Sequence, residues 1–201
     1  MAVTIQQFEQ MKQRLNRRSR SPAPPELPQP PINRAAAVIL GVDPSLRGTG
    51  YGIIRTGRNG WQTLTHGTVA CPAGWPRSRC LAKISQTLRD LIREHQPTVC
   101  AVEGLFYAQN LQTALIMGEA RGAALAAIAE AGLDIYEIAP RKVKQAIVGY
   151  GAAQKIAVAK MVQRLLALAE LPAPDAADAL ALALAHAQEA GRPAWQPLKK
   201  I

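Results

Sequence analysis

The chain has 201 residues, 48% hydrophobic but only 4% aromatic, so one ordinary domain plus a tail is expected, with alanine, leucine and valine packing its core. No apolar run is long enough to span a bilayer and no secretory signal opens the chain. Three cysteines without metal-like spacing, Cys71, Cys80 and Cys100, fit a reducing cytoplasm. A net charge of +10 argues for a polyanionic partner, usually nucleic acid, with plain solubility charge as the bland alternative.

Residues 1–34 stand apart, holding six of the fifteen prolines and six basic against two acidic residues. Thr4 to Arg18 reads as a short polar helix and Ser19 to Pro31 as a flexible or polyproline linker. A DNA-touching arm, a transit-like tail and an over-long reading upstream of the true start are all compatible with this segment. The globular domain is expected over 35–191, with 192–201 as a C-terminal tail. Ala37 to Val42 reads as a buried strand. Gly50 to Thr56 and Gln62 to Ala70 follow as strands, with Arg58-Asn59-Gly60 as their hairpin turn. Leu81, Ile84, Leu88, Leu91 and Ile92 give Arg77 to His95 a helical period, stopped by Gln96-Pro97. Thr98 to Glu103 is the fourth strand. A long helix over Asn110 to Gly132 closes on a glycine, and Ile135 to Ile138 is the fifth strand. Helices over Pro140 to Val148 and Ala153 to Ala169 precede a last helix from near Asp175 to before Gly191. Three antiparallel strands followed by alternating helices and strands predict an α/β mixed sheet with helices on both faces.

Four carboxylates stand out in apolar surroundings. Asp43 and Glu103 each end an apolar strand, and Asp175 and Asp178 lie three apart ahead of an alanine-leucine helix. Each has a structural reading: Asp43 as a turn former, Glu103 as a loop or helix-capping residue, and the Asp175/Asp178 pair as a capping box. Together they point elsewhere. Adjacent parallel strands lie about 4.8 Å apart, and positions i and i+3 share a helix face, so all four can meet one pocket. Ionised carboxylates in a low dielectric need a counter-charge. A hard divalent ion takes oxygen ligands, and two such ions about 4 Å apart suit in-line hydrolysis of a phosphodiester.

Arg141, Lys142, Lys144, Lys155, Lys160 and Arg164 cluster around Gly149-Tyr-Gly151. A solvated helix face is the plain reading. Glycines opening a helix also present N–H groups to phosphate, which makes Arg141, Lys144 and Lys155 DNA-contact candidates. Phe106 and Tyr107 follow Glu103 closely in a chain poor in aromatics, either as core or as a platform for an unpaired base. The helix around Gly118 to Ala127 carries small residues on more than one face, which suits close approach of a second helix or a second copy. His66, His95 and His186 show no ligand spacing.

Gly41-Val-Asp-Pro44 with Thr49-Gly-Tyr-Gly52, Val102-Glu-Gly-Leu-Phe106, Gly118-Glu-Ala-Arg-Gly122, Val143-Lys-Gln145, Val148-Gly-Tyr-Gly151 and Asp175-Ala-Ala-Asp-Ala-Leu180 run in one order and spacing. From about Val38 to His186 they resemble RuvC, the bacterial Holliday junction resolvases. The resemblance implies an RNase H-like fold with a five-stranded mixed sheet and a homodimer. It implies Mg²⁺-dependent endonuclease action, with two ions per site and Mn²⁺ able to substitute, and symmetric nicking of four-way junctions in recombination and repair. It implies a RuvA-RuvB branch-migration partner. Asp43, Glu103, Asp175 and Asp178 match the family's acidic positions, and Lys155 a lysine important for activity, here assigned to transition-state charge. Phe106 matches its junction-wedging aromatic. The chain departs from the family at Ser45-Leu46, where a Gly-Ser pair is common, and in its N-terminal extension. An actin-like ATPase or sugar kinase shares a first-strand Asp followed by Thr49 and Gly50. This chain is too short for such duplicated domains. A non-catalytic junction binder would be expected to lack one of the four acids.

Overall fold

In the computed structural model, which describes residues 37–58, 60–104, 110–189 and 198–201, the chain forms one six-stranded mixed sheet covered on both faces. Its elements are β1 (Val38–Asp43), β2 (Gly48–Gly57), β3 (Gly60–Ala70), α1 (Arg77–His95), β4 (Val99–Glu103), α2 (Leu111–Glu130), β5 (Asp134–Ile138), α3 (Pro140–Val148), α4 (Lys155–Leu165), α5 (Pro174–Glu189) and β6 (Lys199–Lys200). Strand order is β3-β2-β1-β4-β5-β6. β1, β2 and β3 form an antiparallel meander, β1, β4 and β5 run parallel, and β6 pairs antiparallel with β5. The five expected strands are present. β6 adds a sixth from residues expected to be tail, because Lys199 and Lys200 pair with Glu137 and Tyr136 along the open edge of β5.

The pleat divides the core in two. Leu40, Val42, Cys100, Val102 and Ile135 point to the side covered by α1 and α2. Ile39, Ile54, Ala101 and Ile138 point to the side covered by α3, α4 and α5. Helix ends follow their sequence signals. Asn110 caps α2 by accepting the Thr113 N–H at 2.8 Å, and Gly132 leaves it at φ +74°. Gln96 takes φ +49° ahead of Pro97 and stops α1. One start and one cap differ from expectation. α4 begins at Lys155, and α5 begins at Pro174, with the Ala173 carbonyl accepting the Ala177 N–H at 2.8 Å, so Asp175 sits inside the first turn and is not the capping residue. Proline suits such a first helical position because the N–H it lacks would have no partner there.

α5 is buried on nearly every side, from Ala176 to Gln188, between the sheet and α3 and α4. An alanine-leucine sequence that is apolar all round fits that central place. Its close seat depends on glycines. A Cβ on Gly41 would strike the Ala179 carbonyl oxygen, one on Gly50 would strike the Asp175 carbonyl oxygen, and one on Gly52 would meet Leu180 at 2.7 Å. Gly41 pairs with Gly52 and Asp43 with Gly50 across β1 and β2. Together they form a shallow backbone trough that brings the start of α5 down onto the end of β1.

Candidate active site

The same alternation that buries Val42 and Val102 on the α1 side turns Asp43 and Glu103 toward α5. β1 and β4 pair Val42 with Val102, so the two carboxylates are neighbours at the carboxyl edge of parallel strands, a usual place for α/β ligand sites. The turn after Asp43 is closed by a buried hydroxyl: Thr49 Oγ1 donates to the Ser45 carbonyl at 2.6 Å and accepts its N–H at 3.2 Å. Leu46, one of the two residues that depart from the family's usual turn, packs into the α1-side core.

Asp43 and Glu103 lie within hydrogen-bonding reach of each other, so the two carboxyls titrate as a pair. Burial, reinforced by the Asp43 charge and that hydrogen bond, pushes Glu103 up to about 7 from its ordinary 4.5. Asp43 is also raised, first by burial and then by the Asp178 charge, while the Glu103 bond and Lys155 pull the other way. Two touching carboxylates in a half-buried site cannot both ionise cheaply. From the first turns of α5, Asp178 faces the pair, and its charge, with that of Asp175, raises Asp43. Asp175 Oδ2 lies 2.7 Å from where a Gly48 side chain would begin. Lys155, the first residue of α4, donates from Nζ to Asp178 Oδ2 at 2.7 Å. That bond raises the Lys155 pKa and keeps it a cation.

The candidates thus stand as two contacts, Asp43 with Glu103 and Asp178 with Lys155, with Asp175 beside them. Among the described residues no three carboxylate, histidine or cysteine groups gather closely enough to hold one ion. The donor set nonetheless fits a hard divalent cation, since all four candidates offer carboxylate oxygens and two already repel each other. Arg141 is exposed on α3, its chain lying over Gly151, and Lys144 is half-buried on the same helix. Phe106 and Tyr107 lie outside the described residues.

Sequence reasoning missed two features. One is the glycine trough, whose signal was Gly50 and Gly52 two apart within a strand. The other is Arg121, a buried cation among the alanines of α2. Its guanidinium donates to the Glu103 carbonyl and, at 2.6 Å, to Glu137 Oε2.

Comparison with known proteins agrees with this architecture. Residues 39–186 match the family model "Crossover junction endodeoxyribonuclease RuvC". The curated crossover junction endodeoxyribonuclease RuvC of Halorhodospira halophila is 48% identical over 155 residues, covering 77% of this chain and 92% of the relative. Among solved structures, T. thermophilus RuvC in complex with a Holliday junction substrate is 34% identical with a TM-score of 0.75, covering 82% of this chain and 99% of that one. The yeast mitochondrial Holliday junction resolvase Ydc2 shares the fold, at 13% identity and a TM-score of 0.55. With the family match spanning residues 39–186, most of the folded domain, the chain belongs to the RuvC family of crossover junction endodeoxyribonucleases.

Proposed function

We propose that this enzyme resolves four-way DNA junctions by paired nicking of strands of like polarity, through Asp43, Glu103, Asp175 and Asp178. The observation that carries this reading is the contact of two half-buried carboxylates at the end of β1 and β4, faced by the Asp178–Lys155 pair from α5 and α4. Nucleases of the family are metal-dependent. Two Mg²⁺ ions, or Mn²⁺ in their place, held by the four carboxylates would activate water and stabilise the leaving oxygen of an in-line displacement. Asp43 and Glu103 present oxygens from the rigid sheet, and Asp175 and Asp178 from the helix above. Lys155 places a positive charge beside the same pocket, where charge develops on the phosphate. Hydrolysis of this kind leaves 5′-phosphate and 3′-hydroxyl ends that a ligase can seal.

Arg141 and Lys144 are assigned to the DNA backbone, and Phe106, with Tyr107, to stacking on a base freed at the junction centre. A homodimer fits the two-fold symmetry of the substrate. One face of α2 supports it: Leu111, Leu115, Gly118 and Gly122, spaced as a helical stripe, are all exposed, and nothing lies within 4 Å of the Cβ positions of the two glycines. The cytoplasm is the compartment, and a RuvA-RuvB complex is the branch-migration partner. Residues 1–34, outside the family match, are assigned an accessory role through their phosphate-attracting charge.

The deciding experiment is cleavage of labelled mobile and fixed four-way junctions with and without Mg²⁺, mapping both cut sites. Symmetric cuts dependent on metal are expected, and Asp43→Asn should reduce them to background while junction binding persists. An Asn variant that cuts at the wild-type rate would remove Asp43 from the chemistry. ATP hydrolysis without cutting would favour the kinase-like alternative.

A further inference from the structure

We propose that Arg121 is a positioning residue for Glu103, fixing from the opposite side of the sheet the direction in which that carboxylate meets Asp43. The inference rests on the nuclease reading of the site. Arg121 is carried by α2 on one face, while Asp43, Glu103 and α5 meet on the other. One guanidinium nitrogen donates to the Glu103 carbonyl, and the other donates to Glu137 Oε2 at 2.6 Å. Glu137 belongs to β5, pairs with Val102 of β4, and through Oε1 also accepts from Lys199 of β6 at 3.0 Å. The guanidinium therefore spans the last peptide of β4 and the neighbouring strand.

That peptide carries unusual weight. Glu103 ends β4, and the next N–H, on Gly104, donates to the Ile138 carbonyl at 2.9 Å. With the Glu103 carbonyl held by Arg121 and the following N–H held by β5, the Glu103 backbone is set on its C-terminal side. The Cα–Cβ bond then has one direction, and only side-chain torsions remain to be ordered. Sites that bind ions or reacting groups need placement within about 0.5 Å, which such supporting contacts provide. Stability alone is a weak reason for the arrangement, since replacing a buried ion pair with apolar residues is often neutral or stabilising. The type of cation matters too. A guanidinium holds two acceptors in one plane, which an ammonium cannot.

The test compares wild type, Arg121→Ala, Arg121→Lys and Glu137→Gln by three measurements. These are Mn²⁺ affinity of the DNA-free protein by calorimetry, junction affinity in EDTA, and single-turnover cleavage, each normalised to protein folded by circular dichroism. Arg121→Ala should weaken Mn²⁺ binding and slow cleavage about 10–100-fold, the usual range for residues that orient metal ligands, with junction affinity within about twofold of wild type. Raising Mn²⁺ should recover part of the rate. Arg121→Lys should not restore it, and Glu137→Gln, which keeps the guanidinium with a neutral acceptor, should fall between. An Arg121→Ala protein that melts earlier yet binds Mn²⁺ and cuts like wild type overturns the proposal, leaving Arg121 as scaffold. If that variant does not fold, Glu137→Gln decides, and wild-type Mn²⁺ affinity and rate there overturn it equally. A wild-type protein that cuts no junction defeats the nuclease reading itself, so the two failures are told apart.

Discussion

Glu103 is a candidate site residue whose charge state is set by what surrounds it. Its pKa rises from 4.5 to about 7, chiefly through burial and then through Asp43, and Asp43 shifts the same way. Between those values the native protein keeps a proton that the unfolded chain has released, so stability is greatest below the lower value and declines as pH rises through the higher one. Metal-free protein should therefore melt at a lower temperature near pH 8 than near pH 5, with much of the slope removed in Glu103→Gln. Added Mg²⁺ should restore melting temperature mainly at the higher pH. A flat profile in wild type, measured by scanning calorimetry, would contradict the shared-proton arrangement. Phe106 makes a second prediction at this scale. Opening a junction costs a few kcal/mol, and stacking an aromatic on the freed base returns about 1–3 kcal/mol. Phe106→Ala should slow cutting of fully paired junctions about 10–100-fold and be rescued by junctions with unpaired bases at the crossover. Equal slowing on both substrates would return Phe106 to core packing.

At the scale of elements, the candidate active site is a consequence of how α5 lies on β1 and β2. Gly41, Gly50 and Gly52 put no strand side chain under the start of α5, so the helix backbone at Ala179 and Asp175 seats close on the strands and Asp175 and Asp178 come down beside Asp43. Gly41→Ala should push α5 outward, costing about 1–3 kcal/mol as an overpacked core does. Because α5 carries two of the carboxylates, cleavage should fall further than the loss of folded protein explains. Denaturant titration and single-turnover rates on the same samples check this. A destabilised Gly41→Ala protein with full activity per folded molecule would separate helix seating from catalysis.

For the whole molecule, one site cuts one strand, whereas clean resolution needs two cuts at a fixed spacing. The open stripe of Leu111, Leu115, Gly118 and Gly122 is the surface proposed for contact with a second copy. Gly122→Arg should produce a monomer by sedimentation. It should still fold, because the Gly122 Cβ position meets nothing within 4 Å, and it should lose simultaneous nicking of both strands. Wild type that stays monomeric even on a junction would rule out this interface.

Much of this protein is legible in its residues taken in order. The strand-end positions of Asp43 and Glu103, the period of α1, the Asn110 and Gly132 ends of α2 and the spacing of Asp175 and Asp178 are local facts, set by the two-residue pleat and the helical turn. They suffice to propose four acids and a polyanionic substrate. Tertiary structure decided the rest. How strongly the Asp43–Glu103 pair resists ionising depends on burial and on charges that belong to distant segments. The seat of α5 depends on glycines from two strands whose meaning appears only once the strands pair. β6 forms because the β5 edge is open to it. Arg121 reaches the Glu103 carbonyl across eighteen residues of chain, a contact that no local period can announce.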